Sequence, residues 1–358
     1  MQVGFLNPVS YAGNSTATVW PVPPAMCDRD AVAETMRRGK EQLRLADTLG
    51  FDWVSVSEHH YSPRIMTPSP MIYAGAITEV VKRAKIAVLG PLLPLSNPVR
   101  VAEELAMLDA MSDGRIMVLF LRGTANEILA YRNNPDEAQA VTREGIDLIL
   151  HAWTEPQPFG WEGRYFNYRT VSVWPRTIQT PHPPVFSSGN SAESVQFCAS
   201  RRLNLALSFI LLPDIKQRVT LYKEEAAKEG WGPTADNVMY RFWAHVAESD
   251  TAADRNTSRF KVHMGLARHM SAAVRQSLRE SPPERLEFDR PFLCGSPATV
   301  LDQIGALREA GVGVMDIAFA WPGLSYEQQL ESTERFARDV LPHIRSLYRF
   351  VISLRMPN

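Results

Sequence analysis

The sequence is poor in cysteine, in net charge and in long apolar runs, and each shortage argues against a class of protein. Its three cysteines, Cys27, Cys198 and Cys294, lie far apart and form no CxxC pair. This spacing argues against a disulfide framework or a zinc site and favours a reducing compartment. Lys and Arg number 38 against 39 for Asp and Glu, so no excess charge attracts nucleic acid or an anionic membrane.

Targeting and membrane signals are also missing from the sequence. The start, MQVGFLNPVS, lacks a basic region followed by an apolar one, and no apolar run reaches the length that spans a bilayer. We therefore expect a soluble, cytoplasmic protein. With 45% hydrophobic residues the 358-residue chain can bury a large core, and we expect a single domain over residues 1–358.

Short apolar or β-branched runs alternate with longer segments of helical period. This alternation is typical of βα units around a parallel sheet. The expected strands are 3–6, 53–56, 85–89, 116–121, 184–187, 203–208, 240–246 and 314–319. Eight strands interleaved with helices predict an α/β fold, a closed (β/α)8 TIM barrel. A doubly wound open sheet remains the alternative, because strand order alone does not show closure.

Two stretches are expected to be insertions in the barrel. Residues 160–182 are rich in Trp, Tyr, Arg and Pro with near-alternating patterning, which predicts a hairpin before the fifth strand. Residues 249–291 hold a polar helical pattern and then ESPPERLEFDRP, whose prolines interrupt regular structure.

The most titratable tripeptide of the chain directly follows the second expected strand. Glu58, His59 and His60 would lie at the barrel end where catalytic groups gather. Neighbouring residues of an extended chain point in opposite directions, so the two imidazoles are not expected to act on one atom or to chelate one metal. An imidazole suits proton transfer at neutral pH, and a carboxylate can fix its tautomer. That both histidines serve only the loop structure stays open.

Three ordered segments resemble the bacterial-luciferase-like flavin monooxygenases. They are GFDWVSVSEHHYSP at 50–63, NPVRVAEELAMLDAMSDGRI at 97–116 and RG at 122–123, and CGSPATVLDQIGALREAGVGVMDIAF extends the similarity towards the C-terminus. The resemblance implies a barrel that holds reduced FMN (FMNH2) at its carboxyl-terminal mouth. There the flavin reacts with O2 to give a C4a-peroxide that oxygenates a substrate. Glu58, His59 and His60 match the family's EHH, which implies a role in proton transfer beside the flavin.

The resemblance also implies where the flavin phosphate binds. In SSGNSAES at 187–194, Ser191 and Ser194 match the family's phosphate-binding hydroxyls, and Asn190 lies beside them. A helix start with free N–H groups suits an anion. The alternative is an ordinary helix cap formed by Asn190 or Ser191.

Two further strand ends are expected to contact the cofactor. Arg122 follows the fourth strand and can bind a phosphate through two hydrogen bonds, while Gly123 lets the backbone approach the ligand. VLFLRG replaces a glycine-rich run of the family, which puts Leu121 near the flavin ring. The family often has a non-proline cis peptide at the place of Leu89-Gly90; a plain turn at Gly90-Pro91 is the alternative.

Other residues are assigned to the surroundings of the flavin. Phe5, Leu89, Leu121 and Trp321 are expected to form an apolar mouth. Arg143 is a candidate second cation near the phosphate, but we expect it to lie on a solvated helix face.

Taken with the resemblance, these features predict a two-component, FMN-dependent monooxygenase. No GxGxxG fingerprint with a suitably spaced acid is present, so a separate flavin reductase must supply FMNH2. The alternatives are a deazaflavin (coenzyme F420)-dependent oxidoreductase, a non-catalytic flavin-binding accessory subunit and a metal hydrolase. The substrate is expected to be a small apolar or aromatic molecule. A homodimer is expected because members of the family commonly dimerise.

Overall fold

The computed structural model of the chain describes residues 1–13, 20–264, 292–320 and 323–345, with side chains from 258 to 264 left out. Its strands are β1 (Gln2–Asn7), β2 (Trp53–Ser57), β3 (Lys85–Leu92), β4 (Ile116–Leu121), β5 (Phe159–Glu162), β6 (Asn167–Val171), β7 (Val185–Ser188), β8 (Asn204–Ser208), β9 (Val238–Val246), β10 (Phe292–Gly295) and β11 (Val314–Ala318). Its helices are α1 (Arg29–Leu49), α2 (Pro70–Ile77), α3 (Pro98–Met111), α4 (Ala125–Ala130), α5 (Ala138–Thr154), α6 (Ala192–Ser200), α7 (Leu212–Lys228), α8 (Asp250–Met264), α9 (Pro297–Glu309) and α10 (Tyr326–Asp339). Within these ranges, no helix combines the length and the apolarity needed to cross a bilayer.

Eight of these strands form a closed parallel barrel in the order β1, β2, β3, β4, β7, β8, β9 and β11. The ring closes because β9 pairs with both β8 and β11, while β11 pairs in turn with β1. All eight predicted strands belong to this ring. The predicted TIM barrel is therefore confirmed, and the open-sheet alternative is wrong.

The barrel strands are buried on both faces, as expected of parallel strands that are covered by helices. Inward side chains form a cluster of their own inside the barrel: Leu6, Trp53, Ala87, Leu89, Met117, Leu119, Phe186, Ala206, Met239, Val314 and Ala318, with Leu121 and Trp243 packed against it. Phe5 belongs to the other face. Its ring lies 5.7 Å from that of Phe51 and 5.9 Å from that of Phe319, in the core beneath the helices. The prediction that Phe5 lines the mouth is wrong, and Trp321 lies outside the described residues.

A buried charged pair lies among these inward side chains. Nε of Arg241 on β9 is 3.2 Å from Oδ2 of Asp316 on β11. The other oxygen of Asp316 accepts hydrogen bonds from Trp53 and Ser55 on β2. Burial raises the pKa of Asp316, and Arg241 opposes that rise. Removing one partner would leave an unpaired buried charge, which costs about 3–5 kcal/mol. The pair therefore stabilises the contact between the neighbouring strands β9 and β11.

Two additions interrupt the regular barrel. β5 and β6 form an antiparallel hairpin within the segment predicted to contain one, and Glu144 on α5 accepts hydrogen bonds from the N–H groups of Tyr165 and Phe166 in its turn. β10 is a ninth parallel strand beside the far end of β9, and it was not predicted. Of the second predicted insertion, α8 covers the first part, and residues 265–291 lie outside the described residues.

Candidate functional site

The predicted site residues lie at the carboxyl ends of four consecutive barrel strands. β2, β3, β4 and β7 are neighbours in the ring and all run in the same direction. The chain segments that leave these strands therefore share one rim, which we call the mouth. Glu58–His60 follow β2, Leu89 and Gly90 lie in the last part of β3, residues 121–123 end β4, and residues 190–194 follow β7.

His59 is held by a carboxylate that sequence reasoning missed. Its Nδ1 lies 2.9 Å from Oε1 of Glu127, and that oxygen also accepts the backbone N–H of His60 at 2.9 Å. The other oxygen of Glu127 accepts the backbone N–H and the hydroxyl of Thr124, at 3.0 and 2.7 Å. Four donors thus surround one carboxylate whose side chain is only 2% exposed.

The charge of Glu127 determines the tautomer of His59. Burial alone would raise the pKa of Glu127, but the hydrogen bonds from His59 and Thr124 outweigh it and lower that pKa to about 2. An ionised carboxylate only accepts hydrogen bonds, so Nδ1 of His59 must carry a proton. Nε2 of a neutral His59 is then left as a proton acceptor. The His59 side chain is 35% exposed, and Nε2 has no protein partner within the described ranges.

Local sequence explains why Glu127 lies in this position. Thr124 is the N-cap of α4, and Glu127 is the third residue of that helix. Together they form a capping box, in which the glutamate side chain bonds back to the cap residue. The capping box uses one carboxylate oxygen of Glu127, and the other oxygen is left to accept a hydrogen bond from His59. The TANE spacing at 124–127 is the sequence signal that predicts this helix start.

His60 is locked by partners on both ring nitrogens. Its Nε2 lies 3.0 Å from Oε1 of Glu58, and its Nδ1 lies 3.0 Å from the hydroxyl of Tyr131. The second oxygen of Glu58 accepts the backbone N–H of Leu92 at 3.1 Å. Burial is the largest cause that raises the pKa of Tyr131, and its neighbour Tyr61 adds to it. The two histidines therefore differ: His60 is buried and fully bonded, whereas His59 keeps one nitrogen open.

Gly90 lets β3 pass close to Glu58. Its φ is 109°, and a Cβ there would lie 3.0 Å from Cβ of Glu58, so any side chain would be both strained and crowded. Leu89 accepts the backbone N–H of Glu58 at 3.1 Å. The cis peptide in this segment is Gly90-Pro91 and not Leu89-Gly90, so the expected non-proline cis bond is wrong. The physical reason is that the tertiary amide before a proline accepts the cis form far more readily.

At the end of β7, Ser191 and Ser194 lie together. Oγ of Ser191 caps α6 by accepting the N–H of Ser194 at 3.3 Å, and it lies 2.9 Å from Oγ of Ser194. Asn190 is used elsewhere. Its amide donates to the carbonyl of Ser208 at 2.9 Å and accepts the N–H of the same residue at 3.0 Å, so its side chain joins the loop to the end of β8.

Arg143 approaches the first turn of α6 from α5. Its Nη2 lies 3.7 Å from the carboxylate of Glu193, which is itself 81% exposed, and its guanidinium lies over the ring of Phe197. Nε and Nη2 are buried, and neither has a hydrogen-bond partner in the described part of the chain. The expectation that Arg143 lies on a solvated helix face is therefore wrong. Buried guanidinium donors beside a helix N-terminus suit a dianion.

The end of β4 lies between these two groups in the ring. Leu121 is half-buried against the interior cluster, and Arg122 is exposed, with no side-chain hydrogen bond or ion pair among the described residues. Gly123 has a φ of 85°, and a Cβ there would lie 2.9 Å from Leu92. A glycine is thus required for β4 to end against β3, whereas Arg122 remains free to meet a ligand.

Unusual backbone conformations occur in three loops that leave barrel strands at the mouth. Val9, Tyr61 and Phe209 have positive φ angles of 47°, 55° and 54°, which side-chain-bearing residues rarely adopt. They follow β1, β2 and β8. Such conformations concentrate at functional sites, and no local sequence signal predicted these three.

Curated relatives of this chain include alkanal monooxygenase chains and uncharacterised proteins. The chain is 23% identical over 348 residues to the alkanal monooxygenase alpha chain of Photobacterium leiognathi, covering 90% of this chain and 96% of that protein. It is 31% identical over 174 residues to the uncharacterised protein y4wF of Sinorhizobium fredii, covering 48% of this chain and 51% of that protein. That second match, like several of the others, spans only about half of the relative's length.

Solved structures share the fold at low sequence identity. The monooxygenase RslO1 of Streptomyces bottropensis has a TM-score of 0.78 at 24% identity, covering 96% of this chain and 99% of that one. The oxygenating constituent of 3,6-diketocamphane monooxygenase from Pseudomonas putida, in complex with FMN, has a TM-score of 0.75 at 20% identity. The match covers 96% of this chain and 98% of that one. An F420-dependent secondary alcohol dehydrogenase has a TM-score of 0.71 at 17% identity. The match covers 96% of this chain and 98% of that one.

A family model described as luciferase-like monooxygenase matches residues 5–313, which is most of the chain. Of the solved structures that share the fold, one is in complex with FMN and another is of an F420-dependent enzyme. The resemblance of the three sequence segments is thereby confirmed, and the chain belongs to the luciferase-like monooxygenase family.

Proposed function

We propose that this protein is the oxygenating component of a two-component, FMN-dependent monooxygenase. It takes FMNH2 from a separate flavin reductase and uses O2 to oxygenate a small apolar or aromatic molecule. The observation that carries the proposal is the open Nε2 of His59, whose tautomer the buried carboxylate of Glu127 fixes at the mouth of the barrel. A histidine held in this way can accept or return a proton at a defined atom.

The residues at the end of β7 fit the phosphate of FMN. The unpaired guanidinium donors of Arg143, the hydroxyls of Ser191 and Ser194 and the N-terminus of α6 all suit a dianion. Arg122, exposed at the end of the neighbouring strand β4, can add a second cation. Asn190 does not take part, because both groups of its amide are already bonded to Ser208.

The chain would contribute proton transfer and protection from water. Reduced FMN, when bound, supplies the electrons that activate O2. His59 then handles the proton through Nε2, while Glu58 and His60 hold each other and the loop in place. Leu89 and Leu121 give the mouth apolar walls, and low water access favours oxygen transfer over side reactions.

The proposed partners follow from the names of the relatives and from the surface. One relative is an alpha chain and another an oxygenating constituent, which supports a separate component that reduces the flavin. A homodimer is supported by the exposed apolar side chains of Ile72 on α2 and of Met107 and Met111 on α3, which are 78%, 50% and 50% exposed. We further propose that these components meet in the cytoplasm.

A deazaflavin-dependent oxidoreductase is the second candidate, because an F420-dependent dehydrogenase shares this fold. A non-catalytic flavin-binding subunit is the third. A metal hydrolase has less support: among the residues that the structure describes, His, Cys, Asp and Glu form no group of three or more that could hold a metal ion.

One experiment separates these candidates. The protein is titrated without oxygen with FMNH2 and, in parallel, with reduced F420, and each complex is then mixed with O2 while flavin absorbance is followed by stopped flow. We expect saturable binding of FMNH2, weaker binding of reduced F420, and a flavin oxidation rate that differs from that of free FMNH2. Preference for reduced F420 would select the second candidate. Tight FMNH2 binding with an unaltered reaction with oxygen would select the accessory subunit.

A further inference from the structure

Arg64 extends from the loop after β2 towards β9 at the mouth of the barrel. Its guanidinium carbon lies 5.9 Å from the ring centre of Trp243, an inward residue near the far end of β9. The strands β2 and β9 are separated in the ring by β1 and β11. The loop that carries Arg64 lies along the loop after β1, where the carbonyl of Arg64 accepts the hydroxyl of Ser10 at 3.1 Å. Only β11 separates β1 from β9, so the side chain reaches Trp243 past the end of β11.

The Arg64 guanidinium makes no hydrogen bond and no ion pair with any of the described residues. The nearest acidic influence comes from Glu127. That carboxylate cannot serve as a partner, because its two oxygens already receive four hydrogen bonds from His59, His60 and Thr124. A carboxylate offers about four acceptor sites, so the capacity of Glu127 is used up.

The surroundings of Arg64 combine access to solvent with close enclosure by protein. The side chain is exposed to solvent, yet burial among surrounding protein lowers the pKa of its guanidinium, with Glu127 opposing that effect. The guanidinium is thus surrounded by protein atoms and still reached by solvent. A guanidinium remains protonated in proteins, so the mouth presents a fixed positive charge.

An aromatic wall lies next to this charge. The ring of Phe209 is 4.3 Å from that of Trp243, with the two planes inclined by 32°. Phe209 has one of the positive φ angles at the mouth. A cation at one aromatic ring, with a second ring packed against the first, is suited to a planar or apolar molecule that carries one negative group.

We propose that the substrate of this protein is an anionic organic molecule, with its carboxylate or other oxyanion paired to Arg64 and its apolar body against Trp243 and Phe209. This names a substrate class for the site described above, and it therefore rests on the proposed function. The negative group would give the Arg64 guanidinium the ion-pair partner that it lacks among the described residues, beside the aromatic rings of Trp243 and Phe209. It also fixes the orientation of the molecule, because a bidentate contact to guanidinium holds one end while His59 acts at another.

Two anions can reach this place, namely the substrate and the reduced flavin itself. The test separates them by measuring binding of each alone. The affinity of the flavin-free protein for three pairs of probes is measured by calorimetric titration, and each pair consists of a carboxylate and its amide. The pairs are hexanoate with hexanamide, benzoate with benzamide, and 2-naphthoate with 2-naphthamide. FMNH2 affinity is measured separately without oxygen. The variants are Arg64→Met, Arg64→Lys and the control Arg100→Met, whose arginine is exposed on α3 and pairs with Glu104.

We expect the wild-type protein to bind at least one carboxylate about tenfold more tightly than its amide, as one charge-assisted contact allows. Arg64→Met should lose that preference, Arg64→Lys should keep part of it, and Arg100→Met should keep all of it. FMNH2 affinity should change less than twofold in each variant. If no pair shows a carboxylate preference in the wild type, or if Arg64→Met keeps it, the proposal is wrong.

The flavin measurement also decides between the two anions. A larger loss of FMNH2 affinity than of carboxylate affinity in Arg64→Met would assign this arginine to the cofactor and overturn the proposal. If the proposed function is wrong, the result is different: the wild-type protein binds no FMNH2, whatever the carboxylate titrations show.

Discussion

Nδ1 of His59 and Oε1 of Glu127 are 2.9 Å apart although 68 positions separate the two residues in the sequence. One residue follows β2 and the other lies in the first turn of α4, after β4. The hydrogen bond therefore joins the loop after β2 to the start of α4, across the end of β3. It fixes the imidazole in one tautomer, and its strength depends on Glu127 remaining ionised.

Replacing either member of this pair should reduce oxygenation without preventing flavin binding. General acid–base groups contribute about 10²–10⁴-fold to rate, so we expect His59→Gln to lower kcat by about that factor. In Glu127→Gln, an NH2 group replaces one carboxylate oxygen, so a donor would face the donors of Thr124 or His60. We expect kcat to fall by a smaller factor, of about 10-fold to 100-fold. Steady-state kinetics with a reductase and titration with FMNH2 measure the two effects.

His60→Asn is a matched control for these variants, because His60 is buried and bonded on both nitrogens. Its loss should reduce stability more than kcat. If kcat of His59→Gln is unchanged while FMNH2 still binds, His59 is not the proton-transfer group.

The ionised Glu127 should make the folded state sensitive to acid. Its pKa lies at about 2 in the folded protein, below the ordinary 4.5, so the unfolded state takes up the proton first as pH falls. The stabilisation is complete above pH 4.5 and is lost progressively towards pH 2. A shift of this size corresponds to about 3 kcal/mol.

Urea unfolding of the wild type and of Glu127→Gln between pH 7 and pH 3 tests this linkage. We expect the free energy of unfolding of the wild type to fall more steeply with acid than that of the variant, which has no carboxyl group to titrate here. Parallel curves for the two proteins would show that Glu127 carries no such linkage.

The barrel was predictable because its strands are buried on both faces and therefore read as apolar runs between helical segments. The same property misled the prediction for Phe5: when both faces are apolar, alternation does not show which side chains point inward. β10 was missed because four residues, Phe292–Gly295, directly follow a proline-rich stretch. Which side chains point inward, and that residues 292–295 pair with β9, is seen only in the folded structure.

The site was predictable only where its residues are contiguous. Glu58, His59 and His60 follow one strand, so the sequence locates them together. Glu127 could be recognised as a helix-capping residue, but its contact with His59 depends on the ends of β2 and β4 lying on either side of β3. Likewise, the sequence alone does not determine how α5 packs against α6, so it does not show whether Arg143 faces α6 or solvent.

The exposed apolar side chains on α2 and α3 predict self-association. Ile72 and Met107 are 78% and 50% exposed, and a symmetric interface would bury each of them twice. We expect Ile72→Glu combined with Met107→Glu to weaken a homodimer by about a hundredfold, since desolvated charges would enter the interface from both copies. Sedimentation velocity over a range of concentrations measures the change.

Leu129→Glu is a suitable control for the dimer, because Leu129 is 60% exposed but lies on α4. It should sediment like the wild type. A wild-type protein that remains monomeric at micromolar concentration, or a double variant that dimerises normally, would place the interface elsewhere or remove it.

The phosphate site at α6 can be tested by comparing FMN with riboflavin, which lacks the phosphate. Arg143→Met removes the guanidinium, whose buried Nε and Nη2 have no hydrogen-bond partner among the described residues, and keeps an apolar side chain. We expect it to weaken binding of reduced FMN about tenfold or more, the value of one charge-assisted contact, and to leave reduced riboflavin affinity nearly unchanged. Ser194→Ala should have a smaller effect in the same direction. If Arg143→Met weakens both flavins equally, the arginine supports the fold of the site and does not bind the phosphate; if it weakens neither, the phosphate lies elsewhere.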